Sequence, residues 1–145
     1  MDRTSTPMDT RELPWMPLGD GVWARLLWLE GEHRSLQLKV SPGTEIGRHR
    51  HHGNVHAYNV TGYRQLGGGA IAGPGAYVYE PAGNVDAWRC IGDEPCIVQI
   101  TMSGRLEYLD ERGEVTSHTD TPSLRAQYLQ WCRSLQIQPT AIGAT

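Results

Sequence analysis

Gly47-Arg48-His49-Arg50-His51-His52-Gly53-Asn54-Val55-His56 holds four of the six histidines of this 145-residue chain. In an extended strand, alternate side chains share a face. His49 and His51 therefore project together, their Cα atoms roughly 6.5–7 Å apart, while Arg48, Arg50 and His52 point the other way. Two imidazoles at that spacing can reach one transition metal at about 2.0–2.2 Å. The competing reading is a solvated basic strand edge or a nucleic-acid patch. A formal net charge of −3 and a pI near 6.0 weigh against the second, because nucleic-acid binding needs a basic field.

Outward from this stretch the chain reads as short strands punctuated by turns. Ser35–Val40 alternates, with Leu36, Leu38 and Val40 on the inner face, and closes at Ser41-Pro42-Gly43. Val22–Leu29 precedes it, after an extended lead-in around Trp15–Leu18. Beyond the cluster, His56–Thr61, Tyr63–Leu66, Ala76–Glu80, Val85–Ile91 and Cys96–Met102 are further strands. Turns fall at Gly73-Pro74-Gly75, Pro81-Ala82-Gly83-Asn84 and Gly92-Asp93-Glu94-Pro95. A last hairpin is expected from Arg105–Leu109 and Glu114–Thr116. Seventeen glycines and nine prolines with no phenylalanine fit this pattern. The fold class is all-β, a sandwich or small barrel in one domain.

One helix closes the chain. Thr121 is expected as its N-cap, with Pro122 at the first helical position. Leu124, Tyr128, Trp131, Cys132 and Leu135 then recur at helical spacing, and Pro139 stops the pattern. That stripe is read as packing, with Cys132 a buried thiol. The expected division is a flexible arm over 1–13, a barrel over 14–118, a helix over 119–138 and a tail over 139–145.

No run of eighteen apolar residues marks a membrane span. The N-terminus lacks the apolar core of a signal peptide, so a cytoplasmic protein is expected. Cys90, Cys96 and Cys132 form no C-x-x-C pair, which disfavours a disulfide framework or a thiolate zinc site. The glycine runs at 67–69 and 73–75 lack a following helix and lysine, so they are corners rather than phosphate cradles.

The stretch from Gly75 to Trp88 resembles the second motif of the cupin superfamily, G-x5-P-x-G-x2-H-x3-N, at Gly75, Pro81 and Gly83. Asp86 stands where that motif has its histidine. The first motif is matched by His49-Arg50-His51 and by Gly62, with His56 about where its glutamate is expected. The chain is most similar to the 2,4'-dihydroxyacetophenone dioxygenase group, related to acetylacetone-cleaving dioxygenases. His49-Arg50-His51, Val55-His56-Ala57-Tyr58 and Tyr77–Gly83 carry that likeness, which extends over roughly residues 14–137.

The resemblance implies a double-stranded β-helix (a jelly-roll barrel) holding Fe(II), with O2 used to cleave a carbon–carbon bond beside a carbonyl. By family analogy it also implies a homodimer. Two departures stand out: Asp86 replaces a histidine, and the glutamate of the hydroxyacetophenone enzymes falls in the run Gly67-Gly68-Gly69. The two changes compensate if His49, His51 and Asp86 form a two-imidazole, one-carboxylate set. The opposite reading is a decayed site.

His56 is a further candidate ligand or catalytic group, and Tyr58 and Trp88 are candidate catalytic or pocket residues, Trp88 as a substrate wall. Tyr79, Arg64 and Met102 are candidate pocket liners and Gln65 a neutral donor, barrel packing being the plain alternative for the liners. His52 is assigned to the surface and Glu80, opposite Tyr79, to a structural role. The expected function is a mononuclear Fe(II) dioxygenase acting on a small β-diketone or hydroxyketone. Zn, Ni, Co and Mn suit the same ligands. A non-oxidative cyclase, isomerase or decarboxylase, and a non-catalytic metal or ligand sensor of the kind found in zinc-binding anti-sigma factors, are the alternatives.

Overall fold

The computed structural model describes residues 5–141; the outermost parts of the expected arm and tail, 1–4 and 142–145, lie outside the described residues. The strands are β1 (Met16–Gly19), β2 (Val22–Glu30), β3 (His33–Val40), β4 (Glu45–His51), β5 (Val55–Thr61) and β6 (Tyr63–Leu66). They continue with β7 (Ile71–Ala72), β8 (Tyr77–Glu80), β9 (Val85–Ile91), β10 (Cys96–Ser103), β11 (Leu106–Leu109) and β12 (Val115–Thr119), followed by helix α1 (Thr121–Leu135). The expected all-β architecture with one C-terminal helix is present. Its strand order, β1-β2-β3-β10-β5-β8 in one sheet and β12-β11-β4-β9-β6-β7 in the other, is that of a jelly roll with every pairing antiparallel.

Two short strands, β1 and β7, lie in segments expected to be a lead-in and a glycine-rich corner. Both pair at sheet edges, where a few backbone hydrogen bonds suffice and no strong side-chain alternation is needed. A 3-10 turn at Thr10–Glu12, capped by Asp9, precedes them. In β2 the pairing register shifts between Leu26 and Trp28. Ala24 and Leu26 face inward before the shift, and Leu29 takes over after it, as a bulge requires.

Two apolar clusters fill the molecule. One joins Met16, Ala24, Leu26, Leu29 and Leu36 to Leu124, Tyr128 and Cys132 of α1, so three members of the expected helical stripe are buried, with Trp131 partly buried and Leu135 exposed. The other comprises Val40, Ala57, Trp88, Cys90, Cys96 and Val98 between the sheets. Each fully buried aliphatic side chain contributes about 1.5–3 kcal/mol. Among the described residues no helix is long and apolar enough to cross a membrane.

The pairing of β5 with β8 fixes what faces inward. Val55 lies opposite Glu80 and Ala57 opposite Val78, while His56 faces Tyr79 and Tyr58 faces Tyr77. Directly opposed residues share a face. Burial of Val55 and Ala57 therefore carries Val78 and Glu80 inward and sends His56, Tyr58, Tyr77 and Tyr79 outward. The expectation that Tyr58 and Tyr79 line the interior, with Glu80 in a structural role outside it, is corrected by this register.

The helix begins one residue earlier than expected. Asp120, not Thr121, is the N-cap: its carboxylate accepts from the Ser123 amide at 2.8 Å, and Ser123 Oγ accepts from the Asp120 amide at 2.9 Å. Thr121 is instead buried, accepting from Arg34 Nη1 and donating to the Glu32 carbonyl, each at 2.9 Å. At the other end Gln136, in the left-handed region at φ 56°, ends the helix before Pro139 is reached. The chain then returns to the barrel, with Tyr128 Oη accepting from Thr140 N at 3.0 Å and Ala141 buried beside Leu29.

The hydrogen bonds from the Ser123 backbone and side chain hold the Asp120 carboxyl below the ordinary carboxylate range. The ionised cap is therefore the stabilising form: its contribution is complete above the unfolded pKa and is lost as pH falls through the lower folded value. Asp120→Ala is expected to cost about 1 kcal/mol at neutral pH, read from urea midpoints, and the difference should narrow on acidification. A pH-independent difference would assign Asp120 to packing instead.

Candidate metal centre

β4 carries His49 and His51 inward, 4% and 5% exposed, with ring centroids 4.8 Å apart and planes at 90°. His52 turns outward as expected and meets Glu107 Oε1 at 2.6 Å. The two inward rings are held differently. His49 Nδ1 lies 2.7 Å from the Gly47 carbonyl oxygen. A carbonyl only accepts, so Nδ1 donates to it and Nε2 is the nitrogen left to face a metal. For His51, burial first, then the neighbouring His49 and Arg34, pulls the pKa down to about 3. Its ring is neutral at physiological pH.

Glu80 joins them from the opposite sheet. Its Oε2 stands 3.8 Å from His51 Nε2, too far for a hydrogen bond, and with His51 neutral the two are not an ion pair. Glu80 Oε1 accepts from Asn84 Nδ2 at 3.0 Å, which orients the carboxylate. Burial pushes the Glu80 pKa up, against the opposing pull of His49 and Arg64.

One ligand atom from each of His49, His51 and Glu80 lies within 4.8 Å of the other two. Two imidazole nitrogens and one desolvated carboxylate make the donor set of a two-histidine, one-carboxylate metal site. A cation would also relieve the burial that now works against the Glu80 charge. The residues fit a metal.

Asp86 and His56, the other expected ligands, are not part of this group. Asp86 pairs with His49 in register, yet its Oδ1 accepts from the amides of Gly67 and Ala87, each at 2.9 Å. A Cβ at Gly67 would stand 2.5 Å from that same oxygen. Asp86 thus caps the turn after β6, and the glycine run is what lets it approach. His56 is outside the barrel, with Nδ1 2.5 Å from Tyr77 Oη and its ring stacked on Tyr77. Tyr58 shares that outer face, and Gln65 is exposed on β6.

The trio opens into a cavity of about 300 Å³ between the two sheets. Trp88 lines it as expected, buried, with the Arg64 guanidinium 4.9 Å from its ring centroid. Met102 and Arg64 also line it, as do Arg34 and Tyr108, which sequence reasoning passed over. The signal that could have found Glu80 was the β5–β8 register. For Arg34 the signal was its place two residues before Leu36, in the alternation that turns Leu36, Leu38 and Val40 inward.

The chain belongs to the ChrR cupin-like domain family, whose model matches residues 4–106. Among solved structures it resembles an RmlC-like cupin protein from Ralstonia eutropha, at 25% identity and TM-score 0.87 over 94% of this chain and 92% of that one. It also resembles an acetylacetone dioxygenase from Acinetobacter johnsonii, at 15% identity and TM-score 0.74 over 90% and 93%. A third likeness is to the Rhodobacter sphaeroides anti-sigma factor ChrR, solved in complex with SigE, at 19% identity and TM-score 0.58 over 66% and 52%. Among curated proteins none matches the chain. The cupin fold is thereby shown, with a His-His-Glu group able to bind a metal.

Glu80→Ala is expected to weaken metal affinity by more than about 100-fold, beyond the 10–100-fold typical of losing a supporting group. Asp86→Ala should keep its metal and lose only turn stability. Metal content after desalting, with folding checked by circular dichroism, separates them. Retention by the Glu80 variant and loss by the Asp86 variant would restore Asp86 as the third ligand.

Proposed function

We propose that the protein is a mononuclear metal-dependent cupin enzyme, holding Fe(II) on His49, His51 and Glu80 and cleaving a carbon–carbon bond of a small carbonyl compound with O2. The observation that carries this reading is the disposition of the trio. Three donors from opposite sheets face a shared cavity, a number that leaves coordination positions open for substrate and oxygen. The likeness to acetylacetone dioxygenase, at 15% identity, agrees with it in fold.

A bound divalent cation supplies Lewis acidity toward carbonyl oxygens and a template for two reactants. The chain contributes the rest. Trp88 and the aliphatic walls exclude water, so that polar contacts inside are strengthened. Asn84 fixes the Glu80 carboxylate, and the Gly47 carbonyl fixes the His49 tautomer. His56 and Tyr58, which face away from the cavity, take no part in this scheme. The outer face they share with Tyr77 and Tyr79 is where we place the contact of a cytoplasmic homodimer, which sedimentation of wild type and Tyr77→Glu would test. A monomeric wild type overturns the homodimer, and a variant as dimeric as wild type moves the contact elsewhere.

A second reading is a non-catalytic metal or ligand sensor, favoured by the match to the ChrR cupin-like model and by the ChrR structure itself. Oxygen uptake decides. Fe(II)-loaded wild type should consume O2 with a panel of β-diketones and hydroxyketones, and His51→Ala should not. Turnover of a panel member without O2 uptake would point to the cyclase, isomerase or decarboxylase class. Tight zinc with no substrate turnover would favour the sensor.

A further inference from the structure

Among the described residues, two buried side-chain polar atoms have no hydrogen-bond partner, Arg34 Nη2 and Arg64 Nη2. Both arginines are 3% exposed and both line the cavity that holds the trio. They come from opposite sheets, Arg34 from β3 and Arg64 from β6. The remainder of each guanidinium is anchored. Arg34 Nη1 donates to the Gly104 carbonyl at 2.8 Å and to Thr121 Oγ1 at 2.9 Å. Arg64 Nε donates to Asn59 Oδ1 at 2.9 Å, and the fully buried Asn59 is fixed in turn by donating to the Ala72 carbonyl at 3.0 Å.

Neither guanidinium is ion-paired among the described residues. Arg34 faces Asp120, Glu32 and Tyr108 at longer range, and Arg64 faces Glu80, Cys96 and Asp86. Arginine stays charged in proteins, and a buried charge with an unused donor is among the costliest things a core can hold. Two of them in one cavity, each braced by its neighbours with one nitrogen left over, describe a site built for an anion. Arg64 is further held against the Trp88 ring, which keeps it from swinging to solvent.

We propose that the cavity takes a small oxo-carboxylate, its carboxylate accepting hydrogen bonds from the free guanidinium nitrogens of Arg34 and Arg64. Arginine forks match carboxylates in geometry as well as charge. The placement of the oxo group rests on the metal reading above, whereas the carboxylate contact rests on the arginines alone. The substrate class is thereby narrowed from neutral diketones to keto acids.

The test is calorimetric titration under anaerobic conditions with near-isosteric pairs: acetoacetate against acetylacetone, and phenylglyoxylate against its methyl-ketone counterpart. Wild type should bind at least one acid roughly tenfold to hundredfold tighter than its neutral partner, the range of a charge-assisted hydrogen bond. Arg64→Gln and Arg34→Lys should remove most of that preference while zinc content stays at the wild-type level. Because Arg34 also holds the start of α1, the wild-type comparison and the Arg64 variant carry the result if the Arg34 variant does not fold.

Metal-stripped wild type should keep its preference for the acid. A preference that survives in protein unable to hold any metal would leave this inference standing and remove the metal enzyme. A protein that holds zinc but favours neither member of either pair, whether both bind or neither does, overturns the inference alone.

Discussion

The pleat of β4 is the constraint on which the interior depends. Because successive side chains alternate, burying His49 commits His51 to the same side and sends Arg50 and His52 outward. The same rule, transmitted across strands by pairing, decides that Glu80 enters the barrel when Val55 and Ala57 are buried. Shifting the register of β4 by one residue would turn both imidazoles out of the cavity, and shifting that of β8 would turn out the carboxylate. The apolar residues of β5 thus do two things. Ala57 joins the second core cluster, and with Val55 it holds a carboxylate opposite two imidazoles that lie more than twenty positions earlier in the chain.

Such an interior is expensive to assemble. A carboxylate, two imidazoles and two guanidiniums share a space whose other walls are largely aliphatic or aromatic. Four of these five are oriented by a hydrogen-bond partner: the Gly47 carbonyl for His49, Asn84 for Glu80, Asn59 for Arg64, and the Gly104 carbonyl with Thr121 for Arg34. These partners fix direction while leaving one polar atom of Arg34, Arg64 and Glu80 directed to something other than a hydrogen-bond donor or acceptor of the chain. A core selected for stability alone would have satisfied those atoms or replaced them with hydrocarbon.

Much of this was legible in the sequence. The turn chemistry and regular strand spacing gave an all-β sandwich or barrel, the resemblance to cupins narrowed it to a jelly roll, and the H-x-H pair on a strand gave two members of the metal group. The helical stripe from Leu124 to Cys132 was also readable. What failed was information carried by pairing. Tyr79 and Glu80 alternate in any strand, but which of them faces inward depends on a neighbour twenty-odd residues away. Asp86 occupies the right motif position and the right register, yet the Gly67 amide, brought close by a missing Cβ, claims its oxygen. The cap at Asp120 was missed by one residue because Thr121 and Asp120 are both good caps; tertiary burial of Thr121 against Arg34 decided between them.

The family match ends at residue 106, but the cavity does not. Thr119 and Leu124, from the segment beyond that boundary, form part of its wall, and Thr121 braces Arg34 from the same side. The barrel therefore supplies the donors, while the C-terminal segment acts as its stopper. Exchanging that segment would change the depth and charge of the chamber without touching His49, His51 or Glu80.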